Sequence, residues 1–185
     1  MEKDTPKSNP GLKRILISGP ESSGKTELVN HLAERFDGAI VEEYARDYVE
    51  GLERPYTIED VEHIARQQLL SYERDFAGKE WIFFDTWLII TRVWFDVVYK
   101  RVPEWLDEAI KGASFDLILL CAPDLPWIPD GVRENGGRER DRLFDQYKME
   151  LERFGMEWEE VTGTGEQRFA KAEEIIHRKT GYGTI

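Results

Sequence analysis

The stretch that decides the fold is GPESSGKT, residues 19–26, which matches the phosphate-binding pattern G-x-x-x-x-G-K-[ST]. The apolar segment Leu12–Ser18 before it predicts a buried strand, and Lys25–Phe36 after it carries apolar residues at helical spacing. In such a strand–loop–helix unit, the loop's backbone N–H groups converge on phosphate oxygens. We therefore predict that the loop binds ATP, with Lys25 at the β- and γ-phosphates and the Thr26 hydroxyl on Mg²⁺. The residues predicted to bind the nucleotide here are Gly19, Glu21, Ser22, Ser23, Gly24, Lys25 and Thr26.

Short apolar runs alternate with helix-length amphipathic segments along the rest of the chain. This alternation predicts a parallel sheet with helices on both faces, a three-layer α/β fold of the P-loop NTPase type with five strands. We expect a single domain over residues 1–185, with a flexible tail over about residues 1–10. The further predicted strands are Ala39–Glu42, Trp81–Phe84, Asp116–Cys121 and Glu157–Val161, and the further predicted helices are Thr57–Ala77, Leu88–Tyr99 and Gln167–Lys179.

The composition excludes several classes of protein. The 185 residues carry a formal net charge of −12, which argues against a nucleic-acid partner or an anionic membrane surface. A single cysteine, Cys121, excludes a disulfide framework and is typical of a reducing compartment. No apolar run approaches the roughly 20 residues that span a bilayer. We expect a cytoplasmic protein with a small-molecule partner and no membrane partner, and the sequence leaves a homo-oligomer open.

Acidic residues follow two of the predicted strands. The carboxyl ends of parallel strands form the ligand-binding edge of such a sheet. Asp85 follows the apolar WIFF segment, and it would serve Mg²⁺ through water or accept a proton; the alternative is a helix N-cap. Glu43 is predicted to contact a substrate hydroxyl or act as general base, against an ordinary surface charge. Tyr44 and Arg46 are placed on the substrate side, although Arg46 could simply pair with Glu43.

Four arginines fall within ten residues, at the end of the loop at 122–137 and directly after it. Mobile arginines commonly stabilise the charge that develops on a transferred phosphoryl group, so this segment predicts a lid. The alternative is a solvated helix start in which the arginines pair with interleaved acidic residues. Arg138 and Arg142 are the predicted catalytic members; the other two are Arg133 and Arg140.

Three further residues are candidates for ligand contact. Trp127 lies between Pro126 and Pro129 and could stack on a flat heterocycle or pack in the interior, with equal support. Thr164 and Arg168 belong to a glycine-rich loop that would pass close to adenine, or else form a helix-capping turn. The aromatic segment Trp81–Tyr99 is interpreted as core rather than as a cofactor site.

Five segments together resemble a known family, the ribosylnicotinamide kinase domain of NadR-type proteins, over about Leu12 to Ile176. The first segment alone occurs in many P-loop proteins, but its combination with E-Y-x-R-[DE]-Y-V and W-x-x-D-G-x-R is much narrower. Longer family members carry a nucleotidyltransferase domain ahead of the kinase, whereas eleven residues precede Leu12 here. In family members a second acidic residue often follows the threonine of the third segment, whereas Trp87 occupies that position here. The segments are GPESSGKT (19–26), EEYARDYV (42–49), FFDTW (83–87), PWIPDGVR (126–133) and VTGTGEQR (161–168).

The resemblance implies a kinase that uses ATP and Mg²⁺ to phosphorylate the 5′-hydroxyl of nicotinamide riboside, giving nicotinamide mononucleotide. It implies that Glu43 and Asp85 face the ribose and the metal, and that Trp127 stacks on nicotinamide. Asp130 and Arg133 would belong to the substrate-side loop. The sequence keeps two alternatives open: a kinase for another nucleoside or metabolite, and a non-catalytic module that senses ATP or NAD.

Overall fold

The computed structural model describes residues 11–127 and 137–182, and within them a five-stranded, all-parallel sheet has the strand order β2-β3-β1-β4-β5. This confirms the predicted α/β class and the predicted strand number. The strands are β1 (Lys13–Ser18), β2 (Ala39–Val41), β3 (Trp81–Asp85), β4 (Leu117–Cys121) and β5 (Glu159–Val161). The helices are α1 (Lys25–Arg35), α2 (Tyr44–Glu50), α3 (Ile58–Tyr72), α4 (Leu88–Trp94), α5 (Glu104–Gly112), α6 (Arg138–Arg153) and α7 (Glu166–Thr180).

Alternate side chains of the central strands enter two separate apolar clusters, as strand geometry requires. Leu16 and Phe84 belong to the cluster that α3, α4, α5 and α6 cover, whereas Ile17 and Phe83 belong to the cluster that α1 and α7 cover. All four side chains are fully buried. Helices therefore cover both faces of the sheet, and the three-layer prediction is confirmed.

The strand register places the ends of β1 and β3 side by side. Ile17 pairs with Asp85, and the Ile17 carbonyl accepts a hydrogen bond of 3.0 Å from the Thr86 amide. Thr86 then adopts a positive φ of 68°, which a β-branched residue rarely does and which turns the chain sharply out of the sheet. The loop after β1 and the carboxylate at the end of β3 consequently lie at the same edge of the sheet.

Two predicted helices end differently from the expectation. The helix that begins after Thr57 has the predicted capping box, in which the Asp60 carboxylate accepts the Thr57 amide proton at 2.7 Å, but it ends at Tyr72 instead of Ala77. The segment predicted as one helix over Leu88–Tyr99 changes after Trp94 into a π-helical turn, Phe95–Tyr99. π-Helical turns are frequent at functional sites.

Helices α2 and α5 are missing from the sequence-based prediction, which contains α6 only as a helix start at the arginine segment, without bounds. Both are short, and α2 buries none of its residues completely, so its sequence carries no apolar stripe to detect. The α5 segment has a detectable signal, because Leu106 and Ile110 are spaced by one helical turn and are both fully buried. Within residues 11–127 and 137–182, every helix is too short or too polar to cross a lipid bilayer.

Candidate functional site

The loop between β1 and α1 has the tight backbone path that its glycines predict. Gly24 has a φ of 75°, and the preceding Ser23 hydroxyl donates a hydrogen bond of 2.7 Å to the Pro20 carbonyl inside the loop. A Cβ at Gly19 would lie 2.6 Å from the Cys121 carbonyl oxygen of β4, so any side chain there would force the loop off the sheet. The loop conformation is therefore fixed by its own hydrogen bonds and by contact with β4.

The residue pair predicted to serve Mg²⁺ is brought together. The Thr26 hydroxyl donates a hydrogen bond of 2.6 Å to Oδ2 of Asp85, which is only 3% exposed. Asp85 is not a helix N-cap, because Trp87 occupies that position for α4. Its second oxygen, Oδ1, is buried and has no hydrogen-bond partner among the described residues, and the same holds for the hydroxyl of Ser18 at the end of β1.

These residues fit a magnesium ion that takes few ligands from the protein. Mg²⁺ is usually held by one or two protein oxygens together with phosphate oxygens and waters. The unpartnered Oδ1 of Asp85 and the Thr26 hydroxyl offer that number. Across the described ranges no cluster of three or more His, Cys, Asp or Glu side chains could hold a metal, so an all-protein cage is not what this part of the chain offers.

Lys25 and Glu43 line one cavity at this edge of the sheet. Lys25 Nζ donates to the Pro20 carbonyl at 2.9 Å. Glu43 lies at the junction of β2 and α2 and is half-buried, whereas its neighbour Glu42 is exposed, as the sequence analysis expected of one of the two. Burial raises the pKa of the Glu43 carboxyl, the nearby Lys25 charge opposes that rise, and Asp85 adds to it. A partly desolvated carboxylate therefore stands beside the lysine of the phosphate-binding loop.

The cavity, of about 570 Å³, joins the phosphate-binding loop to an apolar wall. The aromatic rings of Tyr56 and Trp94 meet edge to face with centroids 4.8 Å apart. Trp81 is 1% exposed, as the interpretation of Trp81–Tyr99 as core expects, whereas Trp94 packs against the core and also lines the cavity. The lining residues that sequence reasoning missed are Ala45, Val49, Tyr56, Ile90, Thr91, Val93, Trp94, Val97, Val98, Leu125, Pro126, Leu143 and Tyr147, together with Glu27.

The two substrate-side predictions on α2 have different placements. Arg46 lines the cavity, and its Nε donates to Glu50 at 3.0 Å, one helical turn away. Tyr44 does not line it; the Tyr44 hydroxyl lies 2.9 Å from Nε2 of His63 on α3. Of this pair, only Arg46 is positioned to meet a molecule bound in the cavity.

The arginine segment divides by helix face. Arg138 and Arg142 are exposed at the start of α6, and Arg142 pairs with Glu139 at 2.9 Å, as the alternative of an internally paired helix predicts. Arg140 points the other way, is 7% exposed, and donates from one guanidinium nitrogen to the carbonyls of Pro123 and Leu125. The remaining predictions here, Asp130 and Arg133, lie outside the described residues.

Arg168 of α7 contacts the loop after β4, which Arg140 of α6 also contacts. This 2% exposed residue of α7 donates to the carbonyls of Val161 and Gly163 at 3.2 and 2.9 Å and pairs with Asp124. Thr164 is exposed outside the cavity lining, and Trp127 is half-buried with its indole nitrogen unpartnered among the described residues. In the structure Arg168 therefore anchors this loop through its hydrogen bonds and its ion pair. The predicted nucleotide contacts of Thr164 and Arg168 stay predictions.

Arg140→Gln is expected to lower the free energy of unfolding by about 3 kcal/mol, because two partly buried carbonyls lose their charged hydrogen-bond donor and the buried Arg140 side chain is replaced. Arg142→Gln removes the same charge from an exposed ion pair and is expected to change stability by less than about 0.5 kcal/mol. Urea unfolding of both variants measures the difference. Equal losses in the two variants would show that the hydrogen bonds of Arg140 do not contribute to the free energy of unfolding.

Glu43→Gln is expected to stabilise the fold at neutral and alkaline pH. Because the pKa of Glu43 is raised in the folded protein, the folded state binds its proton more tightly than the unfolded chain does. Glu43 therefore makes its full contribution to the free energy of unfolding at a pH below the ordinary glutamate pKa. That contribution is lost as the pH rises through the folded-state pKa of Glu43. Glutamine removes that loss, and no cap is disrupted because Glu43 makes no side-chain cap bond.

Urea unfolding across a pH series, with Glu42→Gln as the exposed neighbouring control, measures this effect. The stability gain of Glu43→Gln over wild type should shrink toward zero in acid, while the control stays level throughout. A gain that does not change with pH would contradict the assigned cause.

A family model described as "AAA domain" matches residues 14–168, most of the chain. The chain belongs to this family. It is also 30% identical over 178 residues to the "Trifunctional NAD biosynthesis/regulator protein NadR" of Escherichia coli, covering 92% of this chain and 43% of that relative. The resemblance to NadR-type proteins is thereby confirmed, and the chain spans less than half the length of that curated relative.

Solved structures agree with this family assignment. A "Crystal structure of NadR protein in complex with NR" superposes with a TM-score of 0.79 at 26% identity, covering 92% of this chain and 52% of that chain. A thymidylate kinase from Ehrlichia chaffeensis superposes with a TM-score of 0.65 at 12% identity, covering 90% of this chain and all of that chain. At that identity the second structure shows a shared fold alone.

Proposed function

We propose that this chain is an ATP-dependent kinase that transfers the γ-phosphoryl group to the 5′-hydroxyl of nicotinamide riboside. The observation that carries the proposal is the cavity, which runs from Lys25 of the phosphate-binding loop past Glu43 to the aromatic wall of Tyr56 and Trp94. A phosphate donor and a flat nucleoside acceptor fit these two ends. The similarity to NadR proteins, one of them in complex with NR, supports this choice of acceptor.

The charged groups at the loop have distinct parts in the proposed reaction. The 5′-oxygen forms a bond to the γ-phosphorus while the bond to the ADP oxygen breaks, and Glu43 accepts the hydroxyl proton. Lys25 stabilises the negative charge on the transferred group. Thr26 and Asp85 would hold Mg²⁺, which supplies charge neutralisation at the phosphates. The raised pKa of Glu43 makes its carboxylate a stronger proton acceptor than an exposed glutamate.

The apolar wall supplies the acceptor side of the site. Ile90, Val93 and Trp94 of α4 expose apolar surface to the cavity, and Tyr56 adds a second aromatic ring. A planar pyridinium ring is attracted to aromatic faces both by stacking and by its positive charge. The described lining of the cavity has three acidic and two basic residues, and this acidic excess favours a positively charged acceptor over a neutral one.

A coupled ADP-release assay with a nucleoside panel tests the proposal. We expect ATP turnover that depends on nicotinamide riboside, with kcat/KM at least tenfold higher than for adenosine, cytidine, uridine or thymidine. Mass spectrometry of the product should show nicotinamide mononucleotide. Preferred turnover of another nucleoside would replace the acceptor, and nucleotide binding without transfer to any acceptor would favour the sensing module.

A further inference from the structure

Tyr147 is a buried tyrosine whose hydroxyl no described residue satisfies. The residue lies on α6, is 5% exposed, and packs in the apolar cluster with Leu151 and Phe144 while also lining the cavity. No hydrogen bond joins its hydroxyl to another residue in 11–127 or 137–182, and the hydroxyl oxygen is not fully enclosed by those residues. The hydroxyl is therefore available to donate a hydrogen bond to a molecule bound in the cavity.

Two carboxylates share the surroundings of this hydroxyl. Glu21 of the phosphate-binding loop and Glu43 both line the same cavity. Burial raises the pKa of Tyr147, and the charges of Glu21 and Glu43 raise it further. The phenol therefore stays protonated at neutral pH and acts as a hydrogen-bond donor, while the two carboxylates that line the same cavity are acceptors.

A sugar hydroxyl satisfies both kinds of group at once, because it accepts one hydrogen bond and donates another. A carboxylate would be repelled by Glu21 and Glu43, and a methylene group would leave the phenol unpaired. We infer that Tyr147 binds a ribose hydroxyl of the acceptor nucleoside, accepting no proton itself and donating one hydrogen bond, so that it selects ribosides over deoxyribosides. This inference rests on the proposed function only in taking the acceptor to be a nucleoside.

A thermodynamic cycle between the protein hydroxyl and the substrate hydroxyls tests this inference. Wild type and Tyr147→Phe are titrated calorimetrically, in the presence of a non-hydrolysable ATP analogue, with nicotinamide riboside and with its 2′-deoxy and 3′-deoxy forms. For wild type we expect the riboside to bind about tenfold more tightly than one of the deoxyribosides. Tyr147→Phe should weaken riboside binding by the same factor and leave binding of that deoxyriboside unchanged.

Tyr72→Phe is the matched control. The Tyr72 hydroxyl donates to the Ser114 carbonyl at 3.0 Å and accepts from the Ser114 amide at 2.9 Å, away from the cavity lining. Its loss should lower the urea midpoint of unfolding with no change in nucleoside affinity. Tyr147→Phe should show the reverse, since it removes no hydrogen bond made by the described residues.

The outcomes separate this inference from the proposed function. Equal weakening of riboside and both deoxyribosides by Tyr147→Phe, or no weakening of any, would overturn the role of Tyr147. If wild type prefers adenosine or another riboside, the acceptor in the proposed function is wrong, and the same cycle with that riboside and its deoxy forms still decides the role of Tyr147. If wild type binds no riboside more tightly than its deoxy forms, the inference is wrong.

Discussion

Lys25→Ala is expected to lower kcat by about 10³-fold while the protein remains folded. The Lys25 ammonium would stabilise charge on the transferred phosphoryl group, and its loss affects the transition state more than the bound substrates. In the fold itself, the side chain makes one hydrogen bond, from Nζ to the Pro20 carbonyl, on a half-buried residue. Removing that bond should change the free energy of unfolding by about 1 kcal/mol.

Single-turnover kinetics with saturating ATP, together with circular dichroism, measure both parts of this prediction. Lys171→Ala is the matched control, because its Nζ donates to the Thr162 hydroxyl at 2.8 Å on an exposed part of the surface. The control should keep full kcat. A Lys25→Ala variant with lost helical signal would attribute the loss of activity to unfolding, and one with unchanged kcat would remove Lys25 from the proposed chemistry.

Asp85→Asn is expected to lower kcat by about 10²-fold and to raise the Mg²⁺ concentration for half-maximal activity by about 10- to 100-fold. Asparagine has the same shape, but it lacks the negative charge. Asp85 is 3% exposed, and its Oδ2 accepts a hydrogen bond from the Thr26 hydroxyl. Its Oδ1 has no hydrogen-bond partner among the described residues. The substitution therefore changes the proposed metal site without creating a cavity.

A Mg²⁺ titration of initial rates measures this shift, with Asp37→Asn as the control. Asp37 pairs with Lys79 at 2.8 Å on the surface, and its carboxyl is almost fully exposed. The control should follow the wild-type titration. An Asp85→Asn variant with reduced kcat and an unshifted Mg²⁺ dependence would assign Asp85 to proton transfer or substrate binding instead of the metal.

Local patterns in the sequence were sufficient for the sheet and the phosphate-binding loop. The pattern at residues 19–26 requires a strand before it and a helix after it, and both form at the predicted places, as β1 and α1. Asp85 could be selected because it follows an apolar strand, and parallel strands bring their ends to one edge. Each of these inferences depends on neighbours within a few residues along the chain or on a general property of parallel sheets.

The aromatic wall of the cavity could not be predicted in the same way. Trp94 and Trp81 are both tryptophans within one apolar stretch, yet only Trp94 faces the cavity while Trp81 lies under α1 and α7. The two placements differ because Trp81 lies on β3 and enters the cluster under α1 and α7, whereas Trp94 lies at the end of α4 on the opposite face of the sheet. Neither is encoded by apolar periodicity, because periodicity identifies a buried face but not whether protein or ligand covers it.

The sequence by itself determined the fold class, the phosphate-binding loop and the strand-end acids, because each depends on short patterns with a fixed backbone geometry. Only the tertiary structure decided which arginine of the 138–142 segment is buried, since Arg140 differs from its neighbours only by the face of α6 that meets Pro123 and Leu125. It also placed Tyr147 in the cavity that the loop at Gly19–Thr26 lines, although more than a hundred residues separate them. Contacts at that separation form when helices pack on a sheet, and no local pattern specifies them.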